Sequence, residues 1–206
     1  DEEFLGDVNT GTSGNVYLNA SITAGGVNLN GGGEIGAPGV FSLVTTNTGD
    51  RAGYYMGSGS LNSIRLSNVV VCVVARVQAG QTGGDVETLR IGLLNSLTAD
   101  GSAGFYLRKT NDVWQGLTSQ ASTHTSGSGS NVVALEWTWL GAVFDGTNAI
   151  FYQGGTDKTM SAFATNSANI PNASQMTPGV IVNRYSGTTT RQTNKIDVLR
   201  VGVRRL

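Results

Sequence analysis

Leu135–Gly155, LEWTWLGAVFDGTNAIFYQGG, constrains the fold more than any other stretch of this chain. Asp145-Gly146 stands between two apolar runs, and aspartate and glycine accept the positive φ angles that a tight hairpin turn demands. Two β-strands folded back on each other are expected, with Trp137, Trp139, Phe144, Phe151 and Tyr152 packed around them. Trp137 and Trp139 share a parity with Leu135, and that alternation predicts all three pointing inward.

Strand signals recur on both sides of the hairpin while helical periodicity is nearly absent, the pattern of a sandwich or jelly roll. Strands are expected at 16–22, 27–29, 39–44 and 51–56, the last two separated by the polar turn Thr45–Asp50. Asn68–Val77 is a near-continuous apolar run, which predicts cover on both faces. Thr88–Leu94 alternates, Gly104–Lys109 sets Phe105 and Leu107 against Tyr106 and Arg108, and Val113–Ser119 carries Trp114. Further strands are expected at 159–163, 179–183 and 195–203. In the last, Ile196 and Val198 share one parity while Leu199, Val201 and Val203 share the other, which predicts a one-residue bulge. Gln120–Asn131, QASTHTSGSGSN, reads as a long exposed loop, and Thr165–Pro178 as a second mobile one.

The chain is expected to form a single antiparallel β-sandwich over 1–206, with 1–35 a glycine-rich entry segment packed on it. Gly, Ser, Thr and Asn make up 88 of the 206 residues, which suits short strands and many turns. Disorder does not fit, because 39% of residues are hydrophobic and fall in periodic runs. A net charge of −1 gives no electrostatic footprint for nucleic acid or an anionic membrane. No apolar run approaches the roughly 18 residues of a membrane-spanning helix. The acidic start, DEEFLGDVN, has no signal-peptide pattern and no initiator Met, as in a processed product or an excised domain.

Side-chain chemistry for catalysis is sparse. His124 is the one histidine, set in the Ser/Gly-rich segment, and the one cysteine, Cys72, reads as a small buried hydrophobe. Zinc, which needs three or four converging ligands, has no candidate set. Calcium could take oxygen ligands from loops, yet Asp100, Asp145 and Asp157 stand apart and read as turn or solvated residues. A Ser–His or Cys–His nucleophile has no G-x-S-x-G elbow, and Gly31-Gly32-Gly33 lacks the Lys-Ser/Thr of a phosphate loop. Glycoside hydrolysis needs two carboxylates about 5–10 Å apart. Asp85 and Glu87 are the one pair at strand spacing, and they read as a solvated loop end. The chain is accordingly expected to be no enzyme, with no cofactor and no metal.

Sugar binding without chemistry needs an aromatic face and polar loop residues. Trp114, Tyr54, Tyr55 and Tyr185 are the candidates, with Trp114 expected to face outward.

The hairpin EWTWLGAVFDGTNAIFYQGG resembles the W…DG…Y-x-x-G hairpin of concanavalin A-like (laminin G-like) jelly rolls. DEEFLG, PGVFSLVTTNTGDRAGYYMG, ETLRIGLLNS, GFYLRKTNDVWQ, ANIP, SGTTTR and IDVLRVGV fall, in that order, where a β-sandwich domain of tailed-bacteriophage structural proteins has similar segments. The likeness runs from about Asp1 to Val203, with Gln120–Ala134 aligning poorly and Leu199 standing where that family has an acidic residue. The E-x-D-x-x-E strand of jelly-roll endoglucanases and the Q-x-H strand of jelly-roll lyases are absent. The resemblance implies a tail fibre, spike or capsid-surface module at the virion surface. It implies a homotrimer assembled with other virion proteins and in contact with host surface polysaccharide. The alternatives are a carbohydrate-binding module or a polysaccharide-degrading jelly-roll enzyme. Leu94 and Leu140, read as apolar residues on outward parities, would suit a subunit interface.

Overall fold

The computed structural model describes residues 20–25, 27–30, 40–55, 64–80, 86–96, 100–110, 112–127, 129–155, 157, 159–186 and 191–206. Fifteen strands and no helix occur among them: β1 (Ala20–Ala24), β2 (Val27–Asn30), β3 (Phe41–Thr45), β4 (Arg51–Tyr55), β5 (Val69–Gln78), β6 (Val86–Leu94), β7 (Ala103–Thr110), β8 (Val113–Gln120), β9 (Thr123–Ser126), β10 (Ser130–Asn131), β11 (Trp137–Phe144), β12 (Ala149–Gly154), β13 (Met160–Asn166), β14 (Thr177–Ser186) and β15 (Gln192–Arg205). Every strand pairing is antiparallel. Sheet A runs β1-β4-β14-β6-β7-β8-β10, with β9 also on β8, and sheet B runs β13-β12-β11-β5-β15-β3-β2.

Alternation builds the core between the sheets. Leu89, Ile91 and Leu93 of β6, Phe105 and Leu107 of β7, and Val180 and Val182 of β14 point inward from sheet A. They meet Val71, Val73, Ala75 and Val77 of β5, Leu140, Ala142 and Phe144 of β11, and Phe151 of β12. Phe105 and Phe151 bridge the sheets with ring centroids 5.7 Å apart. Gly116 makes room for that contact, since a Cβ there would lie 2.1 Å from the Phe151 ring. Burying each such aliphatic or aromatic side chain contributes about 1.5–3 kcal/mol.

The hairpin forms, but around a four-residue loop, 145–148, in which Gly146 alone takes a positive φ, 105°. Phe144 pairs with Ala149, and Asp145 Oδ1 accepts hydrogen bonds from the Thr147 and Asn148 N–H groups at 2.8 and 2.7 Å. Those bonds hold the Asp145 carboxyl below the usual carboxylate range. With the folded-state pKa depressed, the turn's contribution is fully present above the unfolded value and fades as pH falls through the folded one. Asp145→Ala is therefore expected to melt below the wild type at pH 7, with the gap closing in acid. Equal melting temperatures at pH 7 would remove this role. The bulge expected in the last strand is also present: β15 shifts register against β5 between Ile196 and Val198.

Five expectations need correction. Trp137 and Trp139 occupy the outward parity of β11, because Leu140, Ala142 and Phe144 fill the inner one; Leu135 is 56% exposed. The β5 run is buried on its inner side, while Val70, Cys72 and Val74 are half-buried on the outer face, so Cys72 is not a core residue. Leu140 is enclosed in the main core and Leu94 in a second small cluster, so neither offers an interface. Gln120–Asn131 is not one loop: β9 folds back on β8 through a two-residue turn at Ala121 and Ser122, both at positive φ, and β10 pairs β8 further along. Thr165–Pro178 holds the end of β13 and the start of β14, with an irregular stretch between. That stretch is anchored by a Thr118 Oγ1 bond to the Ala168 carbonyl at 2.9 Å and by the Ile64–Met176 bridge.

Candidate groove along the free edge of the second sheet

Among the described residues, sheet B ends at β13, whose outer edge has no strand partner, and sheet A ends close by at β9 and β10. An open groove follows that seam. One section, of about 600 Å³, is lined by Ser130, Glu136, Trp137, Gln153, Asp157 and Phe163 among others. A second, of about 470 Å³, runs on along Ala162–Asn166 opposite Thr125–Gly127. Ala162 and Phe163 line both.

The local structure explains why this seam is polar. Gln153 sits on the inner parity of β12 but near its open end, where it donates from Nε2 to the Asn131 carbonyl at 3.0 Å. Its Oε1 is buried and has no hydrogen-bond partner. Asp157 caps the β12–β13 turn by accepting from the Thr159 N–H at 3.2 Å. Asn166 spans the two sheets, donating to the Thr125 carbonyl at 2.9 Å and the Gly116 carbonyl at 3.2 Å, so it fixes the far end of the groove. Trp137 carries the Arg76 guanidinium 4.6 Å from its ring centroid, and Arg76 is held there by Asp197 at 2.6 Å. Trp137 thus carries a cation on one ring face and also lines the groove. The groove therefore offers two aromatic side chains, Trp137 and Phe163, with two carboxylates, hydroxyls and an acceptor lacking a donor.

The residues singled out from sequence fall elsewhere. Trp114 is 1% exposed and belongs to the core, and Tyr54 is buried with its ring edge-on to Phe41, centroids 5.0 Å apart. Inner-face parity puts both between the sheets, where no sugar can stack. Tyr55 is half-buried and Tyr185 is 48% exposed; both lie on the outer side of sheet A, away from the groove. The structure therefore brings none of these four to the seam. Asp85 lies outside the described residues. Glu87 is not a solvated loop end: it is buried, accepting from Lys109 Nζ at 3.1 Å and Asn194 Nδ2 at 2.9 Å. Asp100 is part-exposed in a bend, ion-paired with Arg108 and accepting from the Tyr106 hydroxyl at 3.0 Å. Among the described residues no group of three or more His, Cys, Asp or Glu is placed to hold a metal.

No family model matches the chain, and no curated protein matches it in sequence. Solved structures do match in shape. A protein of unknown function from Shewanella oneidensis MR-1 superposes over 99% of this chain and 85% of its own, with a TM-score of 0.73 and 17% identity. The fold is a lectin-like jelly roll. Arcelin-5, a lectin-like defense protein from Phaseolus vulgaris, matches over 91% of this chain and 99% of its own, with a TM-score of 0.55 and 7% identity. Botulinum neurotoxin type C, whose cell entry depends on two ganglioside molecules, matches over 82% of this chain and 40% of its own, with a TM-score of 0.56 and 10% identity.

Proposed function

We propose that this chain is a non-enzymatic glycan-recognition module, with the saccharide seated in the groove along β13. The observation that carries the reading is Gln153 Oε1, a buried acceptor without a donor, lining an open groove beside Trp137, Glu136 and Asp157. A sugar supplies hydroxyl donors to such acceptors and an apolar ring face to the indole. The lectin-like fold and the ganglioside-dependent entry of one structural neighbour support this class of ligand. The sequence resemblance extends the reading to a tail fibre, spike or capsid-surface module on a virus particle, assembled as a homotrimer with other virion proteins.

Glycan-array binding by the full chain tests the core of the proposal. Trp137→Ala and Gln153→Leu are each expected to weaken the best hit at least tenfold, about 1.4 kcal/mol, while the melting temperature stays near that of the wild type. No hit on an array that includes bacterial surface polysaccharides, or a hit indifferent to both changes, would refute it. Labelled antibody against the chain on intact particles tests the virion location, and light scattering tests the trimer. Glu136 and Asp157 lining one groove also allow a hydrolase. Polymer cleavage abolished by Glu136→Gln or Asp157→Asn would establish that reading and displace the binding module.

A further inference from the structure

The outer face of sheet A carries a second feature, remote from the groove. Alternation turns Arg90 and Leu94 of β6, Tyr106 and Arg108 of β7, Leu117 of β8, and Ile181, Asn183 and Tyr185 of β14 away from the main core. Leu94, Tyr106, Leu117 and Ile181 form a separate buried cluster there. Beside it lies Arg90, 0% exposed, with none of Nε, Nη1 and Nη2 hydrogen-bonded. Asn183 is 2% exposed, and neither Nδ2 nor Oδ1 has a partner.

Register places these two side chains together. Arg90 stands opposite Ile181 and Thr88 opposite Asn183, so Asn183 is the diagonal neighbour of Arg90 on the same face. The carboxylate beside them reaches the guanidinium only as a long ion pair, without a hydrogen bond. Asp100 Oδ1 is 4.0 Å from Arg90 Nη1 and already accepts from the Tyr106 hydroxyl, and Asp100 Oδ2 is bound by Arg108. Buried polar groups are ordinarily hydrogen-bonded, and a buried guanidinium with none of its donors satisfied is costly. Arginine does not escape that cost by shedding its proton. Burial lowers its proton affinity, while Tyr185, Tyr106 and Asp100 oppose the shift. The surface is close: Tyr185 is half-exposed, and Asp100 and Arg108 are part-exposed.

We propose that Arg90 and Asn183 form a receptor for a carboxylate. The planar guanidinium fork binds both carboxylate oxygens, and the Asn183 amide donates to one of them or accepts from a neighbouring hydroxyl or N–H. Two sources share this chemistry, a uronic acid of an acidic saccharide and a side-chain carboxylate of a peptide.

Calorimetric titration and thermal melting of the full chain test it, with sodium glucuronate and N-acetylglutamate α-amide as probes. Glucose and ionic-strength-matched sodium chloride are the controls. At least one carboxylate is expected to bind and raise the melting temperature where the controls do not. A response to glucuronate alone assigns the saccharide source, and a response to the glutamate derivative alone assigns the peptide; a response to both supports the shared chemistry. Arg90→Lys is expected to weaken binding at least tenfold, because the point charge lacks the fork. Arg90→Met should abolish binding and leave the ligand-free protein at least as stable as the wild type. Trp137→Ala should leave the carboxylate response intact, which separates this site from the groove. The proposal is overturned if neither carboxylate acts. It is also overturned if Arg90→Met is strongly destabilised with no carboxylate response, since the guanidinium would then be paired within the chain.

Discussion

Lys109→Met is expected to destabilise the protein by about 3–5 kcal/mol, a large fraction of the roughly 5–15 kcal/mol that holds a domain folded. Lys109 and Glu87 reach the sandwich interior from β7 and β6 and are almost wholly buried. Nζ lies 3.1 Å from Glu87 Oε1, which also accepts from Asn194 Nδ2, while Thr45 Oγ1 contacts Oε2 at 3.4 Å. Four strands, β3, β6, β7 and β15, thus meet at one carboxylate. Removing the lysine leaves that carboxylate uncompensated in a poorly solvated site, and the penalty is its desolvation rather than the attraction lost. The same logic predicts strong non-additivity. Glu87→Met combined with Lys109→Met removes both charges, and the pair should cost far less than the two single changes together. Urea unfolding of the two single variants and the double variant measures this directly. A Lys109→Met cost below about 1 kcal/mol, the range of solvent-screened pairs, would show that water reaches the pair.

This pair also shows where the sequence stopped being informative. Glu87 looks like a solvated loop end because its partners Lys109, Asn194 and Thr45 lie 22, 107 and 42 positions away. Local periodicity, by contrast, read well. The Asp145-Gly146 hairpin, the β15 bulge and the existence of every strand from β3 to β8 are visible in local sequence, because these depend on neighbours in the chain, although β5 reads as a continuous apolar run rather than as the alternation it has. The β8–β9 turn was illegible for a specific reason: it places Ala121 and Ser122 at positive φ, where asparagine and glycine are the usual signals.

Inner and outer faces were harder than strand existence. On β11 both parities carry apolar residues, and bulk alone favours the tryptophans as the core set. The decisive information is across the turn and across the sheet. Phe144 pairs with Ala149, which lies inward, and Trp139 pairs with Arg76, which lies on the part-exposed outer face of β5. The groove was hidden more completely. It is assembled from the β10–β11 connection, the end of β12 and the free edge of β13, and its edge character follows from strand order, which composition does not encode.

Trp114→Ala is expected to cost about 3–5 kcal/mol, the loss of a large aromatic from a packed core, with denaturant unfolding as the readout. β8 turns Trp114 inward, opposite Lys109 on β7 and Ser130 on β10, and the indole is enclosed with the main cluster. Its Nε1–H is buried without an acceptor. That orphaned donor makes Trp114→Phe the informative companion. Phenylalanine keeps much of the ring volume and removes a polar group whose burial alone costs about 1–3 kcal/mol, so its net effect should be small beside that of alanine. A sugar platform predicts the reverse pattern: Trp114→Ala would fold as the wild type and lose ligand. Here any loss of glycan binding in Trp114→Ala should track its unfolding. Trp137→Ala, on the groove, should lose ligand while its unfolding midpoint stays in place. A Trp114→Ala protein with an unchanged midpoint would show that the indole is not in the core, and the parity of the whole β8 strand would have to be reversed.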